Sequence, residues 1–73
     1  MPPKKPDYYC GLNYPAVIRA CQGGGFVAEI PDLPGCLTQG ETLEEVWRNL
    51  AEAKRAWLEA ACAASLEIKE PGR

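Results

Sequence analysis

The chain has 73 residues, 47% hydrophobic and 25% charged, with eight basic against ten acidic side chains and a net charge of −2. One domain fills that length, and a domain so small buries only about 60% of the surface its unfolded chain exposes. A charge balance this even argues against a direct nucleic-acid binder. The absence of any apolar run of about 18 residues argues against a membrane span. With no histidine and no closely spaced cysteine pair, a structural zinc centre is not expected.

Residues 1–13 contain three of the seven prolines and two adjacent lysines, the composition of a flexible arm. Tyr8, Tyr9 and Leu12 are positioned to pin its end to the domain. From Tyr14 onward, "YPAVIRAC" and "FVAEI" read as two strands joined by a glycine-rich hairpin turn. Ala16, Ile18 and Ala20 share one face of the first strand, and Phe26, Ala28 and Ile30 one face of the second. Both sets meet one core only if residues of equal parity pair. The expectation is Arg19 opposite Glu29 and Ile18 opposite Ile30, with a three-residue turn at Gly23-Gly24-Gly25. Arg19 and Glu29 then form a cross-strand ion pair on the opposite face, worth about 0.2–1 kcal/mol.

"IPDLPGCLTQGETLEE" (residues 30–45) turns the chain from sheet to helix. Pro31 ends the second strand, since proline donates nothing to a ladder. Pro34-Gly35 has the composition of a type II turn. Cys36 enters a short third strand, which Gly40 ends. Thr42 and Glu45 make a capping box. Behind it Leu43, Val46, Trp47, Leu50, Ala51, Lys54, Trp57, Leu58, Ala61 and Cys62 follow one helix face, with Lys54 the only polar intruder. The helix is expected over residues 43–64. Residues 66–73, "LEIKEPGR", alternate and offer either a brief fourth strand or a frayed end. The fold class is therefore α+β: a three-stranded antiparallel sheet in β-β-β-α order, packed on one long amphipathic helix.

No constellation here spells catalysis. The four cysteines are spaced by 11, 15 and 26 residues, a pattern that favours free thiols in a reducing compartment over disulfides. Cys36 has neither histidine nor base beside it to lower its pKa, so it reads as a packing residue. A phosphate cradle needs a helix directly after its glycines, and after Gly25 a strand follows. Glu44–Arg48, Arg48–Glu52 and Arg55–Glu59 are i,i+4 pairs of a solvated helix face. Trp47 and Trp57 belong to the core stripe, although Trp57 with Lys54 is also placed to cover a neighbouring subunit. No cofactor or metal is expected.

In their order, "YPAVI" (14–18), "GGFVAEIPDLPGCLTQGETLEEV" (24–46) and a helix ending in "AKRAWLE" resemble the HicB-type antitoxin family over roughly residues 14–70. The resemblance implies a single N-terminal-type HicB domain over residues 14–73, a partial RNase H-like unit. It implies a non-catalytic, cytoplasmic, self-associating protein, a dimer in the first instance. Its partner would be a small basic HicA-type toxin, an mRNA-cleaving ribonuclease whose RNA-binding surface the antitoxin occludes. The contact surface is expected at Arg19, Glu29, Asp32 and Leu33. The chain departs from full antitoxins in having no ribbon-helix-helix or helix-turn-helix segment before Arg73, so DNA binding is not carried over. Nor is nuclease activity, because "PAVIRA" supplies no acidic residue. The rival readings are a self-associating structural protein and a small metal-dependent nuclease.

Overall fold

The structure, a computed structural model, describes residues 5–71. The first four residues of the expected arm and the last two of the chain lie outside the described residues. The elements are α1 (Pro6–Cys10), β1 (Val17–Ala20), β2 (Phe26–Glu29), β3 (Leu37–Gly40) and α2 (Leu43–Ala63). The strands form one antiparallel sheet in the order β1-β2-β3, and the β-β-β-α order follows the sequence.

The first hairpin keeps the expected parity and shifts the expected register. Val17 pairs with Glu29, Ile18 with Ala28, Arg19 with Val27 and Ala20 with Phe26. The Cys21 N–H donates to the Gly25 carbonyl at 2.9 Å, so the three-residue turn is Gln22-Gly23-Gly24 and Gly25 joins the ladder. Pairing is thus two residues away from Arg19 opposite Glu29. Parity cannot distinguish the two registers, because a shift of two leaves every side chain on its own face. Gly23, Gly24 and Gly25 carry φ of 95°, 113° and 80°, values that side chains with a Cβ rarely adopt. A run of three such glycines lets the turn start one residue earlier.

Between β2 and β3 the chain makes two consecutive turns. The Leu33 N–H donates to the Ile30 carbonyl and the Cys36 N–H to the Leu33 carbonyl, both at 2.9 Å. Gly35 at φ 85° makes the second of these the type II turn that Pro34-Gly35 predicts. Ile30 N–H to Cys36 carbonyl, 3.0 Å, closes the corner. Leu33 stands at the junction of the turns and points inward, with 0% of its surface exposed.

Thr42 caps α2, its hydroxyl accepting from the Glu45 N–H at 3.0 Å. Glu45 reaches back one residue further than a standard capping box, to the Glu41 N–H at 2.8 Å. The helix stops one residue short of the expected 64, at Ala63. Val46, Leu50, Leu58 and Ala61 are buried together with Ala28, Ile30, Leu33 and Cys36, and Trp57 packs half-buried against them. Trp57 Nε1 donates to the Pro34 carbonyl at 2.7 Å, which ties the helix to the corner.

Leu43 and Trp47 do not belong to this core. They are 51% and 54% exposed, contrary to the periodicity. α2 lies against β2 and β3 and does not reach β1, so the sheet does not cover the whole periodic face of the helix. Periodicity marks a helix face but says nothing about how far the opposing sheet extends.

The lone charge in the apolar stripe has a different use. Lys54 Nζ donates to the carbonyls of Leu12 (3.0 Å) and Cys10 (3.3 Å) and stands 5.3 Å from the centre of the Tyr14 ring. It thereby collects carbonyls at and just beyond the end of α1, which lack partners within so short a helix. Asp7 adds an ion pair with Arg55 at 2.9 Å. Tyr9 is buried, so residues 6–12 rest on α2 in the segment read as an arm. Residues 64–70 form no fourth strand. They run as irregular chain held by buried Ile68 and by the Tyr14 hydroxyl, which donates to the Lys69 carbonyl at 2.6 Å.

Burial, helped by the neighbouring Tyr9, Glu70, Asp32 and Tyr8, pushes the Tyr14 phenol from its ordinary 10.0 up to about 12. Below pH 10 the phenol is neutral in both folded and unfolded chains. Between 10 and 12 the unfolded chain gives up this proton while the folded chain keeps it, so stability falls as pH rises through that window. Phenolate absorbance should therefore show a late phase from Tyr14, and Tyr14→Phe should remove both that phase and the loss of stability. Tyr14 titrating at its ordinary 10.0 in a folded chain, read as the difference between wild type and Tyr14→Phe, would contradict this packing.

Candidate interaction surface

The sheet is covered on one side only. Its inner face packs on α2, and its outer face carries the odd-numbered residues of the strands. Two rows cross that face: Val17, Glu29 and Leu37, then Arg19, Val27 and Gln39. Val17 is 40%, Val27 38% and Leu37 65% exposed. Together with Arg19 and Glu29 they line a shallow hollow. Arg19 Nη2 meets Glu29 Oε1 at 3.0 Å. The expected ion pair thus forms, but on the diagonal between rows. Each of its charges stands beside aliphatic side chains, so the face alternates apolar and charged positions.

The other two residues proposed from the sequence lie apart from this face. Asp32 sits at the corner, half-buried, with Lys69 Nζ 3.3 Å from its carboxylate. Leu33 corrects the expectation: sealed in the core, it offers no contact to any partner. The corner's prolines made it look like a surface loop, and nothing in the sequence marks which turn residue points inward. The sequence reading also passed over Val17, Val27 and Leu37. The signal was available for two of them, since valines at odd positions of both strands make an apolar pair on the face that parity assigns to solvent.

Nothing on this face resembles a reactive centre. Burial pushes the Cys36 thiol up, with the Lys54 charge opposing in part, so the nucleophilic thiolate is disfavoured. None of the four cysteines is joined in a disulfide. Among the described residues, no group of three or more cysteine, aspartate or glutamate side chains is placed to hold a metal ion. No helix of the described residues is long and apolar enough to cross a membrane. On α2, Glu44–Arg48 (3.5 Å) and Arg55–Glu59 (3.3 Å) form as i,i+4 pairs, and Arg48 turns toward Glu44, leaving Glu52 unmatched by it.

A family model for the HicB-like antitoxin of bacterial toxin–antitoxin systems matches residues 14–73. The chain belongs to the HicB-like antitoxin family. It is 62% identical over 50 residues to a UPF0150 protein of Synechocystis, covering 68% of each chain. A UPF0150 protein of Thermoplasma acidophilum is 41% identical over 49 residues, 67% of this chain and 71% of that one. The protein named Antitoxin HicB 1 in Photorhabdus laumondii is 36% identical over 42 residues, which make up 58% of this chain and 27% of that antitoxin. No solved structure matches. The matched segment of this HicB-like chain contains the whole sheet, the corner and α2, and so the open face as well.

Proposed function

We propose that this HicB-like chain is the non-catalytic antitoxin of a HicA-type toxin and acts in the cytoplasm by covering the toxin's RNA-binding and catalytic surface. Family membership supports a toxin–antitoxin role. The observation that carries the mechanism is the uncovered outer sheet face, where three aliphatic side chains stand 38–65% exposed around one ion pair. Aliphatic surface supplies the favourable burial, and the charges fix orientation and favour the right partner. Arg19 and Glu29 are the polar contacts of this reading and Asp32 lies at its margin. A net charge of −2 adds a modest attraction for a basic protein. The β-β-β-α order suits a partial RNase H-like unit, and we carry that likeness as part of the proposal. Homodimerisation belongs to the same reading.

Co-expression with a small basic HicA-type protein, sought in the reading frame beside its gene, tests this directly. The two should co-purify, and RNA cleavage by the partner should be suppressed in the complex. Leu37→Lys should weaken binding by about tenfold or more, about 1.4 kcal/mol, because it sets a cation against a basic partner. Leu37 is exposed and lies beside Glu29, so the substitution should leave folding intact. Failure to co-purify, or full affinity in Leu37→Lys, would overturn the proposed mechanism. Metal-dependent ribonuclease turnover by this chain alone, abolished by changing Glu29 or Asp32, would favour the nuclease reading instead.

A further inference from the structure

Lys54 is the one charge in the apolar stripe of α2, and the groups that satisfy it come from outside the family segment. Its Nζ donates to the carbonyls of Cys10 and Leu12, whereas the family match begins at residue 14. Arg55, next in sequence, reaches the same way. It meets the Asp7 carboxylate at 2.9 Å and donates to the Cys10 thiol at 3.8 Å. Tyr9 adds a buried aromatic ring, 6% exposed. Two adjacent side chains of α2 and one ring thus fasten residues 6–12 to the helix.

The fastened segment has little stability of its own. α1 has five residues, and isolated helices shorter than about 12 residues are marginal in water. Lys5 at its N-cap supplies no side-chain bond. α1 is therefore a helix only while it is docked. Docking has to offset the entropy of ordering the whole segment. The Asp7–Arg55 pair contributes little to that, being 80% and 53% exposed at its two ends. Among the elements, α1 packs on α2 and on no strand. The strand ladders, the corner and the cap at Thr42 are built from hydrogen bonds within residues 17–46, so none of them need break when α1 leaves.

We propose that residues 6–12 are a strap that opens and closes over the flank of α2 as one unit, hinged at exposed Asn13, with Lys54 as its catch. Closed, the strap takes up the Lys54 ammonium and most of the Arg55 guanidinium. Open, it leaves Lys54 facing solvent beside the Tyr14 ring, 5.3 Å away, at the hollow lined by Ala16, Trp47 and Leu50. Arg55 then keeps Glu59 at 3.3 Å. The flank thus switches between a covered, neutralised surface and a cationic one with apolar surroundings. A catch also accounts for a lysine in this stripe. An apolar residue would fill the position but would leave the Cys10 and Leu12 carbonyls bare. The inference stands on α1 and its anchors and not on the antitoxin reading, so failure of a toxin to bind would leave it untouched.

Amide hydrogen exchange on the full chain tests it. The N–H groups of Tyr8, Gly11 and Leu12 are bonded to the carbonyls of Lys5, Asp7 and Tyr9. They should be protected together, yet exchange about tenfold or more faster than Val46 and Leu50 in α2. Lys54→Met keeps the length of the side chain and suits the apolar stripe. It should speed exchange at the three strap amides by about tenfold or more and leave α2 unchanged. Asp7→Asn, which removes only the exposed pair, should have a smaller effect. Unprotected strap amides in the wild type would mean that α1 does not dock, and protection equal to that of α2 would mean that it does not open. Either result would overturn the proposal, as would wild-type exchange in Lys54→Met. The wild-type comparison decides the matter even where the variant does not fold.

Discussion

Leu33→Ala is expected to destabilise the fold by about 2–5 kcal/mol, the range for truncating a fully buried leucine. At about 0.05–0.15 kcal/mol per residue, the whole stability of a chain this size is about 4–11 kcal/mol, so the variant should be partly unfolded at ambient temperature. The side chain has 0% exposure and sits where two turns meet. The hydrogen bonds that shape the corner hold it in place. Urea denaturation measures the effect. Arg19→Ala is the contrast, because its ion pair is exposed at both ends and should leave stability within about 1 kcal/mol of wild type. An unchanged midpoint for Leu33→Ala would mean that the corner is not part of the core.

Gly40→Ala should cost about 1–3 kcal/mol, the range for overpacking a tight contact. A Cβ at this position would lie 2.8 Å from the Val46 nitrogen, 3.0 Å from the Val46 Cα and 3.1 Å from the Glu45 carbonyl carbon. All three are backbone atoms of the first turns of α2, so no side chain can rotate out of the way. Either the end of β3 or the start of the helix has to move. The helix start is also where Thr42 and Glu45 hold the cap, so the damage should extend to helix content. Thermal denaturation followed by circular dichroism should show a lower midpoint for Gly40→Ala. An equal or higher midpoint would show that the strand and helix can separate freely there.

The sequence made this architecture legible wherever one residue type serves one local purpose. Thr42 and Glu45 mark the helix start, Pro34-Gly35 the type II turn, and the alternation of Ile18 and Ala28 the inner face. Where an outcome depends on what stands opposite, sequence alone fell short. Trp47 and Leu43 carry the right spacing, yet the sheet does not extend over them. Leu33 shares its composition with surface turns, yet it closes the core. Lys54 interrupts an apolar stripe for the sake of carbonyls some forty positions earlier. The hairpin register stayed ambiguous because three glycines in a row accept more than one turn. The site was half legible: Arg19 and Glu29 sit on the open face, but the exposed aliphatic side chains beside them carry no signal of their own in the sequence beyond the parity of the two valines.

The hydrogen bond from the Tyr14 hydroxyl to the Lys69 carbonyl joins residues 55 positions apart, at the mouth and the tail of the family segment. Chain enters and leaves the unit side by side. Spliced into a loop of a host protein, a segment from Tyr14 to Lys69 would hold the host's two flanking ends close together, at the cost of the packing that buries Tyr9. In a fusion, a neighbour attached before Tyr14 and another attached after Lys69 would emerge from the same corner and crowd each other. The two ends of the family segment therefore share one point of attachment.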